Sequence, residues 1–375
     1  MTATTRSTMS VAVPTLYVAF ELSAKTWKVA LTTGVGTTPW LRELRAGDWT
    51  AWARILVDGR RRFTLTAEAP VVSCYEAGRD GFWIHRALLA QGIANRVVDS
   101  ASIEVNRKAR RTKTDRIDAV KLVLMLVRAC AGEPRVWSEV RVPTVDAEAA
   151  RVVSRERTQL VTERTRLLNQ VRGWLATWGG AVPRRRPDGW WTTVRDWAGQ
   201  PLPSAVQHRL ARAHARLQLI ATHVAALEGQ QRAAVSVEGN DAAARLIRLK
   251  GLATTSVSVL LDEGLVWRRF RNRRQVGGFL GYTAVPYQSG ETARDVGIDR
   301  AGNRRLRVVS LQLAWQWVRW QPASALTQWY RARFADHGRR ARLTGIVAVA
   351  RKLVIALWRY ATTGDLPAGA IVKTA

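Results

Sequence analysis

The sequence predicts an α/β layer domain followed by an all-α remainder. Three observations predict it. The first 130 or so residues alternate short apolar, β-prone runs with helical patterns. Residues 145–235 switch to a seven-residue apolar spacing, and from 240 onward helical patterns are broken by Gly turns. These shifts divide the chain into segments 1–137, 138–237 and 238–375.

In the first segment, Leu16 to Glu21 and Trp27 to Thr32 flank Ser23-Ala24-Lys25 and read as a β-hairpin. Asp48 stands before Trp49, Trp52, Ile55 and Leu56, which share one helical face, so Asp48 is the expected N-cap. Val71 to Tyr75 is a buried-strand pattern ending at Glu76. Gly81 to Ala90 reads as a helix closed by Gly92, Asn95 to Val98 as a strand, and Thr114 to Ala129 as a helix capped by Thr114. In the second segment, Val153, Leu160, Leu167 and Trp174 recur every seven residues. After a Gly/Pro/Trp-rich break, Leu210, Leu217 and Val224 do the same. The two stretches fit either an antiparallel helical hairpin or an oligomerising coiled coil. In the third, Ala242 to Lys250 and Thr254 to Asp262 read as helices around Gly251, Phe279 to Gly302 as a Gly-rich loop, and Arg304 to Arg319 and Ile346 to Tyr360 as helices.

Charge is the first functional indication. The 59 Lys+Arg against 29 Asp+Glu leave a formal net charge of +30. Such a chain repels itself when compact, and a polyanionic partner relieves the repulsion. The basic residues cluster as Arg107, Lys108, Arg110, Arg111 and Lys113; as Arg184 to Arg186; as Arg268, Arg269, Arg271, Arg273 and Arg274; and as Arg300, Arg304, Arg305 and Arg307. Arg forks onto phosphate oxygens, and several runs with few acids between them point to nucleic acid. Most of the 17 Trp belong to cores, with some left to stack on bases. No apolar run is long enough for a membrane span, and the polar first ten residues lack a signal-peptide core. Cys74 and Cys130 make no disulfide framework, and no Cys/His group has zinc spacing. The expectation is a reduced, cytoplasmic protein, nucleoid-associated when bound to DNA.

Four carboxylates stand where an α/β nuclease needs them. Glu21 closes the first strand and Glu76 a later one, while Asp115 and Asp118 lie at i and i+3 in the first turn of a helix. Such a quartet suits one or two Mg²⁺ ions, hard cations that prefer carboxylate and water. Each acid also has a plain reading. Glu21 suits a strand-end salt bridge, and Asp115 suits the helix dipole. Glu76 follows an apolar run where an unpaired carboxylate is costly, and Asp118 lies beyond the dipole argument. Ser289, in Tyr287-Gln288-Ser289-Gly290-Glu291, reads by itself as a turn residue. None of the five His lies near it in sequence, so a Ser–His–Asp hydrolase finds no support.

Taken together, Tyr17-Val-Ala-Phe-Glu-Leu-Ser23, Tyr75-Glu-Ala-Gly78, Lys113-Thr-Asp-Arg-Ile-Asp-Ala119, Tyr287-Gln-Ser-Gly-Glu291 and Gly297-Ile-Asp-Arg-Ala-Gly-Asn303 resemble the DEDD transposases of the insertion sequence 110 family. Gly251 to Arg307, with Leu313-Ala-Trp-Gln-Trp317 and Gln321-Pro322, resembles that family's C-terminal transposase domain. The resemblance implies an RNase H-like, Holliday-junction-resolvase-type first domain, central coiled-coil helices and a mainly helical C-terminal domain with a catalytic serine. It also implies a recombinase guided by a bridge RNA, acting on element ends and target DNA as a dimer or tetramer. The metal-bearing domain of one subunit would meet the serine domain of another. By position the acids are Glu21, Glu76, Asp115 and Asp118, and the serine that forms a phosphoserine link is Ser289. The basic blocks at 107–113, 268–274 and 304–307 would hold phosphates. The family's first acid is commonly Asp; Glu21 moves the carboxylate by about 1.5 Å. Two other readings remain open: a structure-selective, Mg-dependent nuclease using the acids alone, and a non-catalytic nucleic-acid-binding derivative.

Overall fold

The computed structural model describes residues 13–103, 115–289 and 292–373; the side chains at 101, 115, 116, 287, 289 and 292–296 lie outside the description. The chain divides into two compact units, Met1–Val142 and Pro143–Ala375.

The first unit is a five-stranded sheet in the order β3-β2-β1-β4-β5. Its strands are β1 (Leu16–Leu22), β2 (Thr26–Thr32), β3 (Trp40–Arg45), β4 (Val71–Glu76) and β5 (Ala94–Val98). β1 to β3 form an antiparallel meander, and β4 and β5 extend it in parallel from the other edge of β1. Alternation along β1 sends Leu16, Val18 and Phe20 to one face and Ala19 to the other. The first face packs against α1 (Trp49–Arg62) and α2 (Trp83–Ala90) through Trp52, Ile55, Ile84 and Leu88. The second packs against α3 (Asp115–Cys130) through Ala119, Leu122, Val123 and Leu126. As expected, Asp48 caps α1, accepting from the Ala51 amide at 2.8 Å. Thr114, the expected cap of α3, lies outside the described residues.

Phe20, Trp27, Trp52 and Tyr75 fill the core of this unit, with the less buried Trp49 and Trp83 packed at its edge. Phe20 sits 4.9 Å from Trp52, centroid to centroid, and Trp27 sits 5.7 Å from both Trp49 and Trp83. β3 was not expected from the sequence. It is an edge strand with only Leu44 buried, and Arg42, Glu43 and Arg45 along it discourage edge pairing with other chains.

The second unit begins with two 32-residue helices, α4 (Val145–Ala176) and α6 (Ser204–Val235), with the short α5 (Trp190–Thr193) between them. Ion pairs Arg157–Glu228 and Arg216–Glu163 fix them antiparallel, so the heptad pattern makes a hairpin within one chain. Leu210 and Val224 of the expected seam are buried in this chain, and Leu210 packs with Leu167, Val171 and Leu175 of α4. An oligomer contact through those positions is therefore not available while the hairpin is intact.

The remainder comprises α7 (Asp241–Arg248), α8 (Thr254–Asp262), α9 (Arg273–Phe279), β6 (Ala284–Ser289), β7 (Thr292–Ile298), α10 (Arg304–Trp320), α11 (Ala325–Tyr330) and α12 (Arg339–Thr363). Its core joins Leu246, Leu260, Leu313, Trp317, Leu353 and Leu357. The Gln321 amide, from the Gln-Pro pair noted in the sequence, is fully buried. It donates to the Lys250 and Ile371 carbonyls and accepts from the Ile371 amide, tying the C-terminal segment to the core. The segment expected to be a loop, Phe279 to Gly302, instead contains the antiparallel β6–β7 hairpin. Its Gly and polar residues masked the alternation that marks a strand.

The aromatic packing gives a direct stability prediction. Phe20→Ala should lower the unfolding free energy of the first unit by about 3–5 kcal/mol, read from urea denaturation.

Candidate active site

The parallel ladder between β1 and β4 pairs Ala19 with Cys74 and Phe20 with Tyr75. One step further, each strand carries a glutamate, Glu21 on β1 and Glu76 on β4. The alternation that sends Phe20 and Tyr75 to the α1/α2 face puts both glutamates on the face of Ala19 and Cys74, which is the α3 face. Glu21 is half-buried and lies opposite Lys28 on β2, and Glu76 is exposed at its strand end. The Cys74 thiol donates weakly to the Leu122 carbonyl at 3.9 Å, which seats α3 over the strand two residues before Glu76. Asp118 lies one turn before Leu122 and is half-buried. Asp115 opens α3, and its side chain lies outside the described ones.

The structure thus brings Glu21 and Glu76 to neighbouring strand ends on the sheet face that carries the helix of Asp118. Among the described residues, no three His, Cys, Asp or Glu side chains gather into a metal-holding group. The basic block of Arg107, Lys108, Arg110, Arg111 and Lys113 lies outside the described residues. Two other titratable groups of this unit are shifted, the buried Cys74 and the half-buried His85. Burial pushes the Cys74 thiol well up. Burial and the Arg86 charge hold His85 below its ordinary value, so it stays neutral while its Nδ1 meets the Asn95 amide at 2.9 Å.

In the second unit, Ser289 is the last residue of β6 and pairs with Thr292 across a two-residue connection, 290–291, that lies outside the described residues. The base of this hairpin is closely tied. The Asp299 amide donates to the Thr283 carbonyl at 3.0 Å and the Asn303 amide to the Phe279 carbonyl at 2.7 Å. Gly302 is required there, because a Cβ would meet the Gly281 nitrogen at 2.2 Å. Asn303 then caps α10, its side-chain oxygen accepting from the Leu306 amide at 3.1 Å, while its amide donates to Glu263 Oε2 at 3.0 Å.

Glu263, just after α8, is 1% exposed and is a hub that sequence pattern did not reveal. Arg155 from α4 grips both its oxygens at 3.0 Å, and Arg305 Nε from α10 lies 3.2 Å away. Burial raises the Glu263 carboxyl, but the bonds from Arg155 and Asn303 and the two guanidinium charges outweigh it, so the net shift is downward. Its neighbour Asp262 goes the other way, raised to about 6 by burial and by the Glu263 charge, against a hydrogen bond from Ser258 Oγ at 2.9 Å. The available signal was the one applied to Glu76, an acid close behind an apolar run, here Val259-Leu260-Leu261.

The expected phosphate-binding arginines divide into two groups. Arg269, Arg271, Arg273, Arg274 and Arg304 are at least partly exposed. Arg305 is engaged by Glu263, Arg307 donates to the Leu280 carbonyl at 2.8 Å, and Arg268 stacks 4.2 Å over Phe279. These last three brace the fold around the hairpin and have less freedom to meet a ligand.

A net charge of +30 suits a nucleic-acid partner, and carboxylates at neighbouring parallel strand ends are a feature that nucleic-acid-processing enzymes use. Comparison with known proteins makes this specific. Residues 58–178 match the DEDD transposase model of the IS110 type, and residues 243–329 match the model described as Transposase IS116/IS110/IS902 family. The chain is 38% identical over 376 residues to the putative transposase y4rJ of Sinorhizobium fredii, covering 96% of this chain and 95% of that protein. It is 24% identical over 232 residues to the transposase for insertion sequence element IS1328 of Yersinia enterocolitica, covering 60% and 66%. The chain belongs to the IS110 family of transposases. It is a DNA-binding transposase, and no described helix is long and apolar enough to cross a membrane.

The buried Glu263 and the half-buried Asp262 make stability measurable. Glu263→Ala leaves the Arg155 and Arg305 guanidiniums without their carboxylate and should destabilise the second unit by about 3–5 kcal/mol in chemical denaturation. Asp262 has a folded pKa above its unfolded value near ~3.9, so its contribution is complete below about pH 4 and is lost as pH rises through about 6. Asp262→Asn should remove that fall from a plot of Tm against pH and leave the variant more stable at pH 7, by about 1–2 kcal/mol.

Proposed function

We propose that the chain is the recombinase of its own insertion sequence, cutting and rejoining DNA strands with an acidic site of Glu21, Glu76, Asp115 and Asp118 and a serine nucleophile, Ser289. The observation that carries the reading is the β1–β4 register, which sets two carboxylates side by side on the face occupied by the helix of a third. This arrangement agrees with an RNase H-like first domain. Four carboxylates are a donor set for a hard divalent cation, Mg²⁺, in one or two copies. Bound there, the cation would lower the pKa of an attacking hydroxyl and offset charge on the departing oxygen.

The residues of the chain supply the rest. The Ser289 hydroxyl oxygen attacks a backbone phosphorus, the bond from phosphorus to one deoxyribose oxygen breaks, and that oxygen takes up a proton as the hydroxyl end. The phosphoserine ester keeps one phosphoester bond for the one broken, so a hydroxyl end of another strand reverses the step and releases Ser289 without ATP. The sequence carries no Gly-x-x-x-x-Gly-Lys phosphate loop, which suits an exchange of this kind. The arginines at 269–274 and Arg304 hold backbone phosphates and fix register. Choice of sequence falls to a bridge RNA whose pairing the protein reads by shape. The acids of one subunit meet Ser289 of another in this reading, in a homo-oligomer, dimer or tetramer, acting in the cytoplasm on the nucleoid.

Recombination between a donor circle and a target plasmid, with Mg²⁺ and the flanking RNA of the element, tests the assignment. Wild type should give recombinants and a covalent protein–DNA adduct. Ser289→Ala should lose both, and Asp118→Ala should lower both by about two to three orders of magnitude. Full DNA processing by Ser289→Ala would instead leave a nuclease that uses the acids alone. Unchanged output from Asp118→Ala would leave a binding protein.

A further inference from the structure

One concave surface of the second unit has no part in the proposed acid-and-serine chemistry. It is an open cavity of about 860 Å³ lined by one stripe of α4, with Arg216 of α6 and Arg305 of α10 facing it. The α4 stripe includes Arg155, Thr158, Thr162, Glu163, Arg166 and Gln170, the i, i+3, i+4 pattern of a single helix face. On a long hairpin helix this face would be the place for an apolar seam. Apart from Leu167 its lining residues are instead polar, with four arginines against one carboxylate.

The arginines are not equivalent. Arg155 and Arg305 are oriented from beneath by Glu263, and the Arg305 Nη2 also donates to the Ser154 carbonyl at 2.9 Å and to Thr158 Oγ1 at 3.1 Å. They are therefore preset guanidiniums at the floor. Arg216 makes a 3.5 Å pair with Glu163, with both side chains largely exposed, which is a weak interaction in water. Arg166 is exposed and has no ion-pair partner among the described residues. Two guanidiniums on the walls thus keep most of their hydrogen-bonding capacity, above a floor where two cations face one buried carboxylate.

We infer that this groove binds the sugar-phosphate backbone of a nucleic-acid strand laid along α4. From position 155 to position 170 the stripe extends about 22 Å, at about 1.5 Å per residue. At roughly 3.4 Å per nucleotide of one strand, that length accommodates about six nucleotides. A single nucleotide would leave most of it empty. A second copy of the chain fits this groove poorly, because it would have to present an acidic stripe to four arginines and carries only 29 acidic residues against 59 basic ones. The inference rests on nucleic-acid binding, which family membership already gives, and on none of the proposed catalytic residues.

The test measures binding alone, with the full-length chain and no recombination. Fluorescence anisotropy of labelled single-stranded RNA, single-stranded DNA and duplex DNA is followed from about 50 to 300 mM salt. The double variant R166A/R216A should bind at least one probe about tenfold or more weakly. Its plot of log K against log salt should be less steep by about 0.7 for each single-strand phosphate it no longer neutralises, or about 0.9 on duplex DNA. Arg166→Lys should keep the wild-type slope, since it keeps the charge. Arg61→Ala, which removes an exposed charge on the first unit, should shift neither quantity. Weakening confined to RNA assigns the groove to RNA, and weakening confined to DNA assigns it to DNA. Wild-type affinity and slope for all three probes would overturn the inference, as would weaker binding with an unchanged slope.

Discussion

The proposed acidic site depends on one constraint, the parallel register between β1 and β4. Because Ala19 pairs with Cys74 and Phe20 with Tyr75, the next residues on the two strands are glutamates side by side. Side-chain direction in a strand has a period of two, so a slip of one residue would turn Glu76 to the tryptophan-filled face and Tyr75 to the face of α3. The register is held by burial on both faces. Phe20 and Tyr75 are fixed among Trp27 and Trp52 on one side, and Ala19 and Cys74 are small enough on the other for α3 to approach. The small residues beneath α3 and the large ones beneath α1 and α2 are thus what keeps two carboxylates adjacent at the strand ends.

A second constraint organises the C-terminal unit. Glu263 is a buried carboxylate whose desolvation is offset by Arg155, Arg305 and Asn303, drawn from α4, α10 and the turn before α10. That turn also closes the hairpin bearing Ser289, through Asn303 and Gly302. The motif Gly297 to Asn303 is therefore structural in part. It supplies a helix cap, a partner for a buried charge and a backbone approach too close for any Cβ.

Much of the first unit could be read from its sequence. The hairpin, the Asp48 cap and the strand ending at Glu76 all follow from local pattern, because their burial alternates within a few residues. β3 did not, since an edge strand with charged faces carries almost no burial signal. The β6–β7 hairpin did not either, because Gly290 and Gly297 and the polar residues between them look like loop when only local pattern is considered. The heptad seam was legible as periodicity but not as pairing. The ion pairs Arg157–Glu228 and Arg216–Glu163 and the packing of Leu210 on Leu167 decide that it closes within the chain. The acids Glu21, Glu76, Asp115 and Asp118 could be nominated from order and spacing, whereas Glu263 could not, since Arg155 and Asn303 stand 108 and 40 positions away from it.

The central claim is that acids from two strands and one helix act as a single cation site. Calorimetric titration of Mg²⁺ or Mn²⁺ into the full-length chain tests it most directly, comparing wild type with Glu21→Gln, Glu76→Gln and Asp118→Asn. Each carboxamide should weaken binding by about tenfold or more, because each removes a charged oxygen from one shared site. Wild-type affinity and stoichiometry in any one of the three would place that acid outside the site and contradict the account.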